Sequence, residues 1–377
     1  MKAFIKNIYR FIKYKEHREK VFREIKIKPI QNKLLTQNFN SNTLKLIIFF
    51  IPGADRKTGK ETMSGGVISI ISICEETEKL FKNDATSATI LCTLNDDNLL
   101  LKYNNFENNT LLFRFEQIAN YFKNLAEIVI HIPDYLVPTF YKNLTQKDLQ
   151  FLKKISFVHF NIMNQNIKLM PQPNEIEPLK TLSSLTTITT AHQQYCTTYY
   201  RKYYNVPLHK LSVWISPEQY VFKNKNEKEN LLIYSPDNHP EKEKIIKHLS
   251  QIEGLKLQMI QGLTYTQYKE VISRAKWALT FGEGLDGYII EPIFSGAIGF
   301  AVYNEDFFTA DFKNLKTIYS SYSTLYNKIN SDIAELDDDE TFNQYQQQQY
   351  NICKKQYSSE VYKQNIAKFY NHQFTFA

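Results

Sequence analysis

Cysteine is scarce in this chain. Its four residues, Cys74, Cys92, Cys196 and Cys353, are scattered and stand at no metal-ligand spacing. They read as reduced thiols of a cytosolic protein. Long apolar runs are also missing: no window approaches 18 consecutive apolar residues, and the longest, such as 46–51, are strand-sized, so no membrane-spanning helix is expected. The segment after Met1 is charged and tyrosine-rich, without the apolar core and small-residue cleavage site of a secretory signal. There is no Gly-Lys-Ser/Thr phosphate loop and no nucleophile elbow. No Asp-x-Asp ends an apolar strand; Asp96-Asp97 and the run 337–339 lie in polar segments, so neither a metal nor another cofactor is expected.

What is present is globular. Hydrophobic residues make up 43% and aromatics 14% of 377 residues, a length that suits two domains better than one core. The net charge of +7 is concentrated at the start: residues 1–40 hold eleven Lys and Arg against Glu16, Glu19 and Glu24. The rest of the chain is therefore close to neutral. Phe4, Ile5, Ile8, Phe11 and Ile12 recur at helical spacing among these charges. Two readings of this basic amphipathic segment stand side by side. One is docking on an anionic membrane surface, where each nearby Lys or Arg contributes about 1 kcal/mol; the other is a solvated helix packed on the protein. Nucleic acid is not an expected partner, because the body lacks basic clusters interleaved with stacking aromatics.

Strand-like runs at 44–51, 88–94, 127–132, 155–160 and 186–190 alternate with helical stretches at 67–81, 117–125 and 146–152. A further apolar run at 211–215 closes this half. After the charged run 223–228 the alternation resumes, with strands at 231–234, 255–260, 277–281, 297–302 and 316–319 and helices at 242–249 and 265–274. Such alternation predicts an α/β protein: two doubly wound Rossmann-like domains facing a cleft. The expected organisation is a basic segment at 1–40, a first domain at 41–222, a second at 229–331, and a helical tail at 332–377 that crosses back to the first. The tail carries the acidic run 337–340 and a low-complexity glutamine run at 346–349.

The most informative stretch runs from Thr280 to Gly296. An apolar strand ends there in a loop carrying Glu283, Gly284, Asp286 and Gly287, and a helix opens at Tyr288. Two carboxylates, Glu283 and Glu291, flank a strand-to-helix turn. Such turns lie at the carboxyl ends of parallel strands, where unpaired helix N–H groups receive phosphate and carboxylates accept hydrogen bonds from hydroxyls. This combination suits a nucleotide sugar.

The stretch resembles the Glu-x7-Glu signature of retaining glycosyltransferases with the GT-B fold, of the family-4 type. Glu283 and Glu291 take the acidic places and Ser295-Gly296 the small-Gly place. The chain departs from the pattern at Asp286, where Gly is usual, and at Gly287-Tyr288, where Leu-Pro is common; these differences bear on the donor sugar. The run from Gly262 to Thr280 is similar to the family's loop, helix and strand before the first acid. Gly65-Gly66 resembles its first glycine loop, where side-chain-free backbone can approach a phosphate. The resemblance implies sugar transfer from a nucleotide diphosphate donor to a glycan or lipid-linked acceptor in surface polysaccharide synthesis. The enzyme would be cytoplasmic, with the membrane as a peripheral partner.

It also implies roles. Glu291 would accept the ribose hydroxyls and Glu283 would hold the transferred sugar, with Asp286, Gly287 and Tyr288 beside them. Lys242 or Lys244, on the helix after the second domain's first strand, would face the diphosphate; the sequence does not separate the two. His131 stands near where the family places a histidine against donor or acceptor. Asn161, Asn164 and His192 are candidates for the acceptor, as neutral donors and acceptors of hydrogen bonds. Two other classes remain open on the sequence: a non-catalytic GT-B-like binding or scaffold subunit, and a nucleotide-sugar epimerase.

Overall fold

The computed structural model describes residue 11 and residues 13–377, apart from 53–64, 95–100, 103–110, 165–168, 213–214 and 283. Glu283, residues 1–10 and Ile12 therefore lie outside the described residues, and with them Phe4, Ile5 and Ile8 of the apolar stripe.

After a long helix, α1 (Lys15–Asn38), the first half builds an eight-stranded sheet. Its strands are β1 (Lys45–Phe50), β2 (Ser87–Thr93), β3 (Leu101–Lys102), β4 (Leu111–Arg114), β5 (Glu127–Pro133), β6 (Phe157–Asn164), β7 (Leu185–Thr190) and β8 (Leu208–Lys210). They lie in the order β3-β4-β2-β1-β5-β6-β7-β8, parallel except where β3 meets β4. Crossovers are made by α2 (Gly65–Leu80), α3 (Phe115–Tyr121), α4 (Val137–Asn143), α5 (Gln146–Leu152), α6 (Pro173–Lys180) and α7 (Thr198–Tyr204). Continuous apolar runs form the central strands because both sheet faces are covered: Leu46, Ile47, Ile48, Phe49 and Phe50 of β1 are all buried. The chain moves outward from β1 and returns to β5 at its other side, so the sheet reverses direction between β1 and β5.

A separate five-stranded parallel sheet follows: β9 (Glu229–Tyr234), β10 (Lys256–Met259), β11 (Ala275–Leu279), β12 (Ile298–Val302) and β13 (Ile318–Tyr319), in the order β10-β9-β11-β12-β13. Its helices are α8 (Lys242–Leu249), α9 (Tyr265–Arg274), α10 (Gly287–Phe294), α11 (Tyr322–Leu336) and α12 (Asp339–Gln356). The direction reverses between β9 and β11. The two sheets meet where Gln194 Nε2 and the Tyr195 hydroxyl, beyond β7, both donate to the Asp306 carbonyl beyond β12.

The last helix, α13 (Ser359–Tyr370), returns to the first sheet. Tyr357 is buried in the core of the second domain and Tyr362 in that of the first, so the chain passes between them over these few residues. Beyond α13, Phe376 makes a reciprocal backbone pair with Leu208, at 2.9 Å each way, and covers the β8 edge. That pairing fixes the last strand at Leu208–Lys210, earlier than the expected apolar run at 211–215.

The glutamine run is structural. Gln349 receives the Gly299 amide (2.9 Å) and donates to the Gly299 carbonyl (2.8 Å), while Gln346 donates to the Ile293 carbonyl (2.9 Å). Both are buried, since a side-chain amide can pair backbone groups that the sheet leaves open. The basic segment reaches the body through the end of α1, where Leu35 enters the first core and the Phe39 carbonyl accepts from the Tyr121 hydroxyl.

Candidate functional site

The reversal between β9 and β11 opens a crevice at the carboxyl ends of these strands, the place where open α/β sheets receive ligands. Ser235, just past β9, ties its walls together. Its amide donates to the Leu279 carbonyl (3.0 Å) and its hydroxyl accepts from the Phe281 amide (2.9 Å). The loop then runs through Asp237, whose carboxylate stands 2.7 Å from where a Cβ on Gly282 would lie. Asp286 flanks Gly282 from the other side, so two carboxylates converge there.

Asp286 also organises the helix that follows. One of its oxygens accepts from the Thr280 hydroxyl (2.9 Å) and the other from the Tyr288 amide (2.9 Å), which caps α10. Of the first amides of α10, that of Tyr288 is thus already taken. Gly287 is the first helical residue, and a Cβ there would meet Glu291 Oε1 at 2.5 Å. The Glu291 carboxyl therefore folds back against the N-terminal turn of its own helix, in room that only glycine leaves.

Glu291 is buried at 6% exposure under three tyrosines, Tyr220 and, from α9, Tyr265 and Tyr268. The Tyr265 hydroxyl lies 3.4 Å from Oε2 and 3.2 Å from the Tyr220 hydroxyl, while the Tyr268 hydroxyl donates to the Gly287 carbonyl (3.1 Å). Burial pushes the Glu291 carboxyl up to about 8, and nearby Asp286 adds to the shift against the tyrosine hydrogen bonds that lower it. At that value the neutral form of the group predominates at pH 7. Hydroxyls donating to its oxygens would favour the carboxylate.

The structure separates the two lysines that the sequence left together. Lys242 Nζ donates to the Ser235 and Asp237 carbonyls (2.8 and 2.9 Å) and lies over the Tyr234 and Phe281 rings. Burial lowers its pKa, opposed by Asp237. Lys244 instead pairs with Glu241 (3.7 Å) and sits over Tyr326, outside the crevice. Tyr288 is half-buried and packs edge-on against Tyr268.

Sequence reasoning missed three residues of this crevice. Asp237 is one. Tyr322, at the start of α11, stacks on Phe281 and donates to its carbonyl (3.3 Å). Burial, then Asp237 and Asp286, push its hydroxyl up to about 12. His239 lies flat on Tyr322 with ring centroids 3.7 Å apart. The turn signal Ser-Pro-Asp-Asn-His-Pro between β9 and α8 was the available hint for Asp237 and His239. Nothing local marks Tyr322, which arrives from a distant helix.

The first-domain candidates lie elsewhere. His131 does not reach the crevice. It is in the sheet interior, stacked on Phe49 with centroids 4.2 Å apart and covered by α13. Asn161 Nδ2 donates to its Nδ1 (3.0 Å), so Nε2 carries the proton and donates to the Tyr370 hydroxyl (2.9 Å). Burial, with His159 second, holds the ring well below the usual histidine range, hence neutral. Asn161 is fully buried beside it, donating also to the Thr189 hydroxyl (2.9 Å) and accepting from Thr187 (2.9 Å). Cross-strand register explains the ladder, because His131, Asn161 and Thr187 stand side by side on β5, β6 and β7. Asn164, at the end of β6, is buried against Asp134 (2.9 Å) and Thr190 (3.3 Å). His192 stands at the junction of the domains, edge-on to Phe307 at 5.3 Å. Gly65 and Gly66 open α2 directly after residues outside the description.

The Ser295-Gly296 pair that follows α10 has a packing role. Gly296 has φ +91°, and a Cβ there would meet the Lys223 carbonyl at 2.2 Å, so the segment leading into β9 presses directly on it. Lys228 from the same segment is buried and donates to the Ser273 and Ser295 carbonyls (3.1 and 2.8 Å); burial pushes its pKa down to about 7.

No protein-family model matches the chain. No curated protein matches it either. Solved structures do. Sucrose-phosphate synthase from Thermosynechococcus elongatus superposes with a TM-score of 0.56 at 10% identity, over 87% of this chain and 99% of that one. HepE from Anabaena, in complex with UDP and glucose, gives 0.54 at 10% identity over the same shares. The trehalose-6-phosphate synthase OtsA gives 0.50 at 9% identity, covering 87% and 98%. At such identities the likeness defines the fold: two facing α/β domains of the GT-B type.

Proposed function

We propose that this protein is a glycosyltransferase that moves a sugar from a nucleotide diphosphate donor to a glycan or lipid-linked acceptor. In this reading transfer proceeds with retention and without a metal, in the assembly of a surface polysaccharide. The observation that supports it most is the crevice between β9 and β11. It sets the Lys242 ammonium, the opening turn of α10 and the carboxyls of Asp237, Asp286 and Glu291 around one strand-end opening, in a fold shared with HepE crystallised with UDP-glucose. A cation and helix amides suit a departing diphosphate, and carboxyls suit the hydroxyls of ribose and sugar. Interactions that are stronger in the transition state than in the ground state accelerate the transfer, and in this reading Lys242 supplies one by meeting the charge that develops on the leaving diphosphate.

Incubation with a panel of nucleotide sugars, following nucleotide diphosphate release with and without saccharide or lipid-linked acceptors, tests the reading. Acceptor-dependent release supports it. Binding without turnover would instead favour a scaffold subunit, and interconversion of the donor sugar an epimerase. The membrane part is tested separately: removing residues 1–30, short of Leu35 and Phe39 that pack on the first domain, should abolish co-sedimentation with anionic vesicles while nucleotide binding persists, and equal sedimentation would remove membrane docking from the proposal.

A further inference from the structure

The segment that joins the two domains reaches the carboxyl proposed to receive ribose. The chain leaves the first core at Leu211 and enters the second at Ile215. Residues 216–228 then run along the ends of α9 and α10. The Lys223 amide donates to the Ser295 carbonyl (3.2 Å), and Lys228 Nζ holds the Ser273 and Ser295 carbonyls where the two helices end. Ahead of these anchors Tyr220 turns inward. Its ring stacks on Phe294 of α10, centroids 6.2 Å apart, and its hydroxyl lies 3.2 Å from that of Tyr265.

The Tyr265 hydroxyl donates to Glu291 Oε2 (3.4 Å), so in the Tyr220–Tyr265 pair it is Tyr220 that donates. A directed chain of hydrogen bonds therefore runs from the interdomain segment through Tyr265 to one carboxyl oxygen. The other oxygen, Oε1, lies against the opening turn of α10 in the room left by Gly287. Bonds in such a chain polarise one another, and those to a carboxylate are about twice as strong as those to a neutral acid. Ionising Glu291 thus tightens the whole chain. Conversely, losing a donor makes ionisation harder: burial raises the pKa of this carboxyl, and the tyrosine hydrogen bonds act against that rise. Asp286 and Tyr288 at the head of α10, and Tyr268 and Lys269 on α9, are the other titratable groups around it. Glu283 is outside the described residues. All of them stay in place when Tyr265 or Tyr220 is changed, so their fields cancel in the comparison with the natural chain.

We propose that Tyr265 and, through it, Tyr220 are positioning residues that couple the ionisation of Glu291 on nucleotide binding to the seating of the interdomain segment. The inference rests on the transferase reading for its nucleotide, but the chain of hydrogen bonds has a readout of its own in the free protein. The test is calorimetry of the full chain between pH 6 and 9 with whichever of UDP, ADP and GDP it binds. Hydrogen exchange over 216–228 and the urea midpoint are followed beside it. Tyr265→Phe should bind the diphosphate about threefold or more weakly at pH 6–7, where the acid must ionise to bind, and the deficit should shrink toward pH 9. Tyr220→Phe should show the same pattern at smaller size. Tyr268→Phe loses a bond to the Gly287 carbonyl instead, so its loss of affinity should be the same at every pH. The diphosphate should slow exchange over 216–228 in the natural chain, and leave it unslowed in Tyr220→Phe at saturation. Without ligand, the fall of the urea midpoint with rising pH should extend to higher pH in Tyr265→Phe. A Tyr265→Phe deficit of constant size across pH would overturn the coupling. So would exchange over 216–228 that ignores the nucleotide, or that still responds to it in Tyr220→Phe. If the natural chain binds none of the three diphosphates, the donor reading fails by itself. The urea profile then decides: an extension to higher pH in Tyr265→Phe supports the chain, and an unchanged profile overturns it.

Discussion

The two sheets use their polar residues in opposite ways. In the first, His131, Asn161, Thr187 and Thr189 satisfy one another across the middle of adjacent strands, and α13 closes over them through Tyr370. In the second, the polar groups stand past the strand ends, on the 235–240 loop and the N-terminal turn of α10, where they face an opening. Position along the strand separates the two cases more than residue type does. A histidine or asparagine inside a parallel strand must find partners in the sheet, because an unpaired buried polar group is costly. The same group one turn beyond the strand end is held by the loop and can exchange its partner for a ligand.

The sharpest way to break this contrast is to disturb the buried ladder. Asn161→Ala leaves His131 Nδ1 and the Thr187 and Thr189 hydroxyls without their partner in the core, at about 1–3 kcal/mol for each unsatisfied group. We expect a large drop in the urea midpoint, while the folded fraction keeps its nucleotide affinity. Native stability with lost turnover would move Asn161 into the reaction site and erase the distinction.

On the other side of the contrast, Glu291→Ala should weaken nucleotide binding, since hydrogen bonds to a charged group contribute about 1.5–3 kcal/mol each. A tenfold or greater loss by calorimetry, with an unchanged circular dichroism spectrum, is the expected result; unchanged affinity would remove the ribose assignment. The same carboxyl should give a pH signature. Its ordinary value is 4.5 and its folded value about 8. A raised folded value means that the neutral group stabilises the fold fully below the ordinary value, and that this contribution disappears as pH climbs through the folded one. The urea midpoint of the free protein should therefore fall between about pH 5 and 8 and level off above, and Glu291→Gln should flatten that slope. Nucleotide affinity should rise over the same window. A wild-type profile as flat as that of Glu291→Gln would mean that the carboxyl is solvated.

The α/β alternation was legible because it rests on local periodicity. The apolar runs at 44–51 and 277–281 needed no tertiary information to become β1 and β11, and the helical pattern at 242–249 is α8. Missed elements have equally physical causes. The short β3 and β4 flank an Asn-rich stretch and have only two and four residues, so they are recognised as strands by their pairing, β4 lying between β2 and β3. The glutamine run reads as low complexity, yet Gln346 and Gln349 are buried partners of backbone that belongs to other elements. Within the site, the acidic stretch pointed to α10 because strand, glycine and carboxylate are close in sequence. Asp237 and Tyr322 join it from 49 and 36 residues away from Asp286, and spacing carries no trace of that. His131 resembled a site residue because β5 ends nearby; what it faces depends on α13, more than 200 residues downstream.

The smallest expected effect separates two lysines two residues apart in the same turn of helix. Lys242 is held by the Ser235 and Asp237 carbonyls at the crevice, and Lys244 by Glu241 and the Tyr326 face on the outer surface. Exposed ion pairs contribute about 0–1 kcal/mol, so Lys244→Met should leave both stability and nucleotide binding within error. Lys242→Met preserves the stem over Tyr234 and Phe281 but removes the charge. A cation facing a diphosphate should discriminate by phosphate count, so the variant should lose severalfold affinity for a nucleoside diphosphate, less for the monophosphate and nothing for the nucleoside. High salt should shrink the difference by screening. Equal losses for all three ligands would show that Lys242 only shapes the loop, and the positive counterpart of the leaving group would then have to be sought on the first domain, across the cleft from α10.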